Sequence, residues 1–233
     1  MAWIDDVLKI EYSVVRVLKK TEDKSLVVFR HNKSGKNVVC IKFKGDAEVY
    51  RRLERFVCPN LPQVYGTFQG DDGFSVVLEE YIDGVTVGDI LSTGLYSENG
   101  VRTVITGVCD GLGVLHRLGI VHRDIKPENI MITSGGIVKI IDFDAARIFK
   151  QGKSADTKII GTVGYAAPEQ MGLAQSDERT DIFAVGILMN VMLTGEHPGR
   201  RMYKGKLAKI IEKAIRVDPL KRFANTSELK KYL

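Results

Sequence analysis

Apolar positions in the first third of the chain come in short, dense runs. Tyr12 to Lys20 is rich in Val and Leu, and Leu26 to Arg30 and Asn37 to Phe43 follow. The cluster Asn32-Lys33-Ser34-Gly35 separates the last two, so the pattern predicts strands joined by turns. Leu61 to Gln69 and Phe74 to Tyr81 repeat the arrangement across Gly70-Asp71-Asp72-Gly73. Asp46 to Phe56, lying between the two groups, reads as a short helix.

Beyond Tyr81-Ile82-Asp83-Gly84 the period lengthens. Ser97 to Leu118 places Val101, Val104, Ile105, Val108, Leu112 and Leu115 on one helical face, with Ser97 as N-cap. Thr180 to Leu193 is almost wholly apolar, which predicts a helix buried on all sides. Leu207, Ile210, Ile211, Ala214 and Ile215 form an amphipathic stripe, and Asn225 with Glu228 resembles a capping box before a last short helix. Strands first and helices after predict an α+β chain of two lobes, joined near Tyr81 to Gly84. No internal repeat and no low-complexity linker interrupts it.

Composition narrows the picture. The 233 residues are 44% hydrophobic and 27% charged, as in soluble globular proteins. The net charge is +5, but no basic run exceeds two residues, as at Lys19-Lys20, so the charge argues against nucleic acid as a partner. Cys40, Cys58 and Cys109 show no CxxC spacing, which speaks against a disulfide framework or a zinc site and for a reducing compartment. The longest apolar stretch, Ile182 to Met189, is far short of a bilayer span, and MAWIDDVLKI lacks a signal-peptide core. The expectation is a cytoplasmic protein with no membrane segment.

The chemistry concentrates in Val121-His122-Arg123-Asp124-Ile125-Lys126-Pro127-Glu128-Asn129. Phosphoryl transfer needs a carboxylate to orient the attacking hydroxyl, a cation near the transferring oxygens, and hard oxygen ligands for magnesium. Asp124 can be the base, Lys126 the cation, and Asn129 a magnesium ligand. The segment resembles the catalytic loop of Hanks-type, eukaryotic-like protein Ser/Thr kinases, and is closest to compact bacterial members. Asp142-Phe143-Asp144, thirteen positions after Asn129, resembles that family's DFG element, and Val39-Cys40-Ile41-Lys42 its VAIK strand. Gly161 to Glu169 resembles the substrate-docking segment that ends in APE.

The resemblance runs from about Tyr12 to Leu233 and implies a bilobal fold, with a small antiparallel-sheet N-lobe and a mainly helical C-lobe. It implies one catalytic domain over 1–233, with the N-lobe to about 80, a hinge at about 81–84 and the C-lobe from about 85. It implies ATP and Mg²⁺, with Asp142 and Asn129 on the metal and Lys42 on the α- and β-phosphates. Cys40 is placed over the adenine, with Glu80 and Tyr81 in the hinge. A protein substrate is implied, and Lys126 argues for Ser/Thr rather than Tyr. Glu169 is expected to pair with Arg222, Asp181 to hold the catalytic-loop backbone, and the Thr162 hydroxyl to contact Asp124 and Lys126.

Several positions depart from the family pattern. The place of the glycine-rich loop, Lys19-Lys20-Thr21-Glu22-Asp23-Lys24, has no glycine, which predicts weaker phosphate binding unless a lysine there compensates. The acid paired with Lys42 is Glu48 or Glu54, and spacing to Cys58-Pro59-Asn60 favours Glu48. Asp144 stands where glycine is usual, Glu79 falls at the gatekeeper position, and the helices after Gly195 are shortened. A pseudokinase scaffold and a small-molecule phosphotransferase of the same fold are the alternative readings. Arg123 before Asp124 also implies a switch through phosphate on the activation loop, at Thr157 or Ser154.

Overall fold

The computed structural model describes residues 10–149, 162, 164–171 and 176–233. The chain divides into two compact units. The first runs to Cys58 and resumes over Pro62–Ile82, and the second takes Pro59–Leu61 and Asp83–Leu233. Ser154 and Thr157, the candidate switch positions, lie outside the described residues.

The first unit holds a five-stranded antiparallel sheet and a short helix. Its strands are β1 (Tyr12–Lys20), β2 (Lys24–His31), β3 (Asn37–Lys44), β4 (Val64–Gln69) and β5 (Phe74–Glu80), in the order β1-β2-β3-β5-β4. β3 is central, and Val38, Val39, Cys40 and Ile41 are all buried because both faces are covered. β1 is an edge strand and almost entirely exposed. Leu61, Pro62 and Gln63, expected in β4, precede the strand. Helix α1 (Glu48–Leu53) is shorter than the pattern suggested. The Asp46 carboxylate accepts the Glu48 N–H ahead of it and pairs with Arg51 at 2.7 Å.

Within the second unit, β6 (Gly84–Thr86) leads into α2 (Val87–Leu91) and the long α3 (Glu98–Arg117). Ser97 caps α3 by accepting the Gly100 N–H, and its predicted apolar stripe is buried throughout. β7 (Ile120–Val121), β8 (Ile130–Thr133), β9 (Val138–Ile140) and β10 (Arg147–Ile148) follow, in a β6-β8-β9 ladder and a β7-β10 ladder. Then come α4 (Glu178–Thr194), α5 (Ala208–Ala214) and α6 (Thr226–Lys230). α4 begins two residues before the apolar run because Asp177 caps it, and it ends on Gly195 at φ 73°. The α6 cap is a variant box: Asn225 accepts the Glu228 N–H, but the Glu228 carboxylate reaches the N–H of Ala224 instead of Asn225.

α4 is buried on all sides, as expected, and one glycine lets α5 approach it. A Cβ on Gly186 would lie 2.7 Å from both Ala214 Cβ and Ile215 Cγ2, closer than real Cβ contacts come. Neither neighbour is the end of a long flexible chain, so the helices would have to part. Gly186→Ala is expected to destabilise the fold by about 1–3 kcal/mol, despite the better helix propensity of alanine. Urea unfolding checks this, and unchanged stability would show that the two helices slide apart at no cost.

Candidate functional site

Asp124 collects three donors on one carboxylate. Lys126 Nζ lies 2.7 Å and Asn129 Nδ2 2.9 Å from Oδ2, and the Thr162 hydroxyl donates to Oδ1 at 2.6 Å. Lys126 Nζ also donates to Thr162 Oγ1 at 2.8 Å, so the expected Asp124–Lys126–Thr162 contacts are formed. Burial pushes the Asp124 carboxyl up, but the bonds from Lys126, Thr162 and Asn129 together outweigh it and hold it below its usual range. Asp124 is therefore an ionised, oriented carboxylate. Lys126 sets its position from one side, and a single 3₁₀ turn over Pro127–Asn129 brings Asn129 back to it from the other.

The loop that carries Asp124 is clamped from behind. Asp181, fully buried in the first turn of α4, accepts the Arg123 N–H on Oδ1 at 2.7 Å and the His122 N–H on Oδ2 at 2.9 Å. His116 Nε2 donates to the same Oδ2 at 2.8 Å. Burial pushes the Asp181 carboxyl up, but His116 and the loop N–H groups win and hold it low. These bonds fix Arg123 at φ 66°, a left-handed conformation that non-glycine residues seldom adopt. Gln170 adds a second clamp: its amide accepts the Ala167 N–H and donates to the Arg123 carbonyl, each at 2.9 Å. The Arg123 guanidinium donates to the Ala145 carbonyl at 2.8 Å.

Asp142 lies two residues past β9. Ile130 pairs with Ile140, and the Ile141 N–H bonds to the Asn129 carbonyl at 2.9 Å. Asn129 and Asp142 thus stand at the same end of one ladder. Asp142 is exposed, at φ 63°, and its Oδ1 accepts the Asp144 N–H at 3.3 Å. Phe143 is buried edge-on against the His122 ring at 5.5 Å. Burial keeps the His122 imidazole low, against the opposing charges of Asp181, Asp142 and Asp124. Replacing the usual glycine by Asp144 costs the backbone little, since the left-handed residue of this element is Asp142, not Asp144.

Glu169 and Arg222 form the expected pair, bidentate at 2.6 and 2.9 Å and buried. The Thr180 hydroxyl also donates to Glu169, at 2.9 Å. Gly161 and Val163 of the docking segment lie outside the described residues.

The remaining predicted residues belong to the first unit. Register places Cys40 opposite Leu78 and Lys42 opposite Val76, with Glu80 opposite Val38, so Cys40, Lys42 and Glu80 share one face. Glu79 stands opposite Val39 on the other face, and Leu78 takes the place beside Cys40. Lys42 Nζ lies 5.4 Å from the Phe74 ring centroid. Neither candidate acid joins it: Glu48 pairs with Arg52 at 3.0 Å, and Glu54 accepts the Thr67 hydroxyl at 2.9 Å. Glu80 accepts the Gln63 N–H at 3.0 Å, and the Tyr81 hydroxyl accepts from Arg16 at 3.2 Å.

The glycine-free β1–β2 turn is closed by its own groups. The Thr21 N–H donates to the Lys24 carbonyl at 2.7 Å, and the Lys24 N–H donates to the Thr21 hydroxyl at 3.1 Å. Those N–H groups are not available to a phosphate.

Reading the sequence missed His116, Gln170, and the pair Asn60 and Lys139. The Asn60 amide donates to the Val138 carbonyl at 2.8 Å, and Lys139 Nζ to the Leu61 carbonyl at 3.0 Å, which places residues 59–61 in the second unit. The signal for Lys139 was a cation at the centre of an apolar strand. His116 and Gln170 gave none.

The sequence profile described as "Protein kinase domain" matches residues 11–231. The chain is 32% identical over 195 residues to serine/threonine-protein kinase PknB of Mycobacterium tuberculosis, covering 81% of this chain and 31% of that protein. It is 31% identical over 183 residues to a probable PknB of Bifidobacterium longum, covering 73% and 26%. A probable myosin light chain kinase of Dictyostelium discoideum is 29% identical over 212 residues, covering 89% and 59%. The match therefore spans between about a quarter and three fifths of the length of these relatives. Among the described residues no helix is long and apolar enough to cross a membrane.

Proposed function

Because the chain belongs to the protein kinase domain family, we propose that it moves the γ-phosphate of ATP onto Ser or Thr hydroxyls of a protein substrate. One observation carries this: the Asp124 carboxylate, held ionised by Lys126, Asn129 and Thr162. A carboxylate held that low is a weak base, so its main work is to orient the incoming hydroxyl. It takes the proton late, as the new O–P bond forms. Lys126, 2.7 Å away, offsets negative charge on the transferring oxygens. The names of the two PknB relatives and Lys126 itself support Ser/Thr over Tyr.

Magnesium fits the residues present. When bound, Mg²⁺ neutralises charge on the phosphate oxygens. The Asn129 amide nitrogen is used on the Asp124 side chain and carbonyl, leaving its oxygen as a ligand. Asp142 adds an exposed carboxylate at the same ladder end. Two protein ligands suit magnesium, which keeps waters and phosphate oxygens, and among the described residues no cluster of three His, Cys, Asp or Glu forms a dedicated cage.

In this reading Lys42 binds the α- and β-phosphates, Cys40, Glu80 and Tyr81 border the adenine, and Glu48 leaves Arg52 to support Lys42. The chain acts as one catalytic domain, with a strand lobe to about residue 80, a hinge at about 81–84 and a helical lobe from about 85. Incubation with labelled ATP, Mg²⁺ and a generic protein acceptor tests it, and label on acceptor Ser or Thr is the expected result. The closed β1–β2 turn favours a second reading, a nucleotide-binding scaffold without transfer. Saturable ATP binding with no label on any acceptor would establish that reading instead.

If a lysine compensates for the missing glycines, register favours Lys20. Lys20 stands opposite Ser25, and Ser25 opposite Lys42, so Lys20 shares the Lys42 face. Lys19, opposite Leu26, and Lys24, opposite Phe43, belong to the other face. Lys20→Ala is expected to weaken ATP binding by roughly three- to tenfold, the net scale of one ordinary hydrogen bond, and the other two alanines by less than about twofold. Calorimetric ATP titration of the three variants decides, and equal affinity in all would leave Lys20 a surface charge.

A further inference from the structure

A cavity of about 280 Å³ lies behind the catalytic loop, within the second unit. Ile120, Val121 and Phe149 give it an apolar floor, and His116, Asp177 and Glu178 give it a polar rim. The floor is the β7–β10 ladder, closed by the Phe149 N–H on the Gly119 carbonyl at 2.8 Å. None of these side chains bonds to Asp124, Lys126, Asn129 or Thr162.

The rim offers acceptors. The His116 side chain is 94% buried, from 6% exposure, yet its Nδ1 has no hydrogen-bond partner among the described residues. Because Nε2 donates to the Asp181 carboxylate, the neutral ring carries its lone pair on Nδ1. Glu178 Oε2 stands 3.8 Å from that nitrogen, too far for a direct hydrogen bond and well placed for one donor to reach both. Asp177 is partly compensated, since it caps α4 and lies 3.8 Å from Arg179. Glu178 has no Lys or Arg partner among the described residues. Two carboxylates on the rim repel an anion, and a single water fills only a small part of the volume.

We propose that this cavity is a second ligand site, which takes a small organic cation whose amidinium or ammonium bridges His116 Nδ1 and Glu178 while its flat apolar body rests on Ile120, Val121 and Phe149. The chemistry is that of an acceptor-lined rim over an apolar floor, which selects a donor with positive charge. The bridged imidazole donates to the same Asp181 oxygen that holds the His122 N–H, so three hydrogen bonds in series link the ligand to the catalytic loop. The site does not depend on phosphoryl transfer, and an inactive chain would still show it.

Benzamidine is the probe, with benzamide as its uncharged near-isostere. The chain has four histidines, so isotope labelling of histidine gives a small set of ring signals, with the His116 signal assigned by its loss in His116→Gln. Benzamidine is expected to move the His116 ring signals saturably, with a Kd on the order of 1 mM, and to leave those of His31 and His197 in place. Benzamide is expected to bind at least about tenfold more weakly, and Glu178→Gln to weaken benzamidine by about fivefold or more. Glu178 is 42% exposed, so that variant keeps the packing. No saturable shift, equal affinity for benzamide, or equal affinity in Glu178→Gln would each overturn the proposal.

Discussion

Replacing Asp124 by Asn is expected to lower phosphoryl transfer by about two to four orders of magnitude while leaving the fold intact. The amide oxygen can take the place of Oδ2, where Lys126 and Asn129 converge, and the amide nitrogen can then donate to the Thr162 oxygen. Every contact has a substitute, so the loop keeps its shape. What disappears, in the proposed reaction, is the charge that would orient the incoming hydroxyl and the base that would receive its proton. Steady-state transfer to a protein acceptor measures the loss, and a thermal melt within a few degrees of the parent shows that it is not unfolding. Activity within a few-fold of the parent would remove Asp124 from the chemistry. The sign of the pH effect follows from the same bonds. Because the folded carboxyl lies below its ordinary 3.8, protonation of Asp124 is moved toward the low side of the usual carboxylate range. An acid limb above that range would therefore belong to another group.

The elements that the sequence announced are those whose signal is local. The stripe from Val101 to Leu115 and the apolar run of α4 each repeat over many residues, and both helices form where the pattern put them. The contacts of Thr162, Asp181, Glu169 and Arg222 were legible for another reason: they came with the resemblance, residue by residue. Long-range geometry was not legible. Glu48 and Glu54 differ by six positions, and spacing could not show that Arg52 and Thr67 hold them in this structure. Nor could spacing show which face of β5 Glu79 takes: pairing sets it opposite Val39, with Leu78 opposite Cys40, and a shift of one residue would reverse the face. His116 and Gln170 make their contacts 65 and 47 positions away, and no short pattern marks such partners.

Removing the Arg222 side chain is expected to destabilise the second unit by about 3–5 kcal/mol, the cost of leaving one member of a buried ion pair alone. The guanidinium is fully buried, and all five of its N–H groups are used. Nη1 donates to Glu169 Oε1 at 2.6 Å and to the Arg179 carbonyl at 2.8 Å. Nη2 donates to Glu169 Oε2 at 2.9 Å and to the Val217 carbonyl at 3.1 Å, and Nε donates to the Arg216 carbonyl at 2.7 Å. Its carbon lies 4.8 Å from the Phe183 ring centroid, so a flat cation packs on an aromatic face as well. Alanine strips Glu169 of its counter-charge and leaves Thr180 as its remaining side-chain donor, while three carbonyls lose theirs. Lysine keeps the charge but offers three donors from a single point, so it cannot match both carboxylate oxygens and the three carbonyls together. Arg222→Lys should fall between Arg222→Ala and the parent. Urea unfolding of the three proteins, with an unchanged slope, measures the order. Arg222→Ala within about 1 kcal/mol of the parent would mean that the pair contributes little beyond its desolvation cost, and that the packing of α4 alone holds this part of the fold.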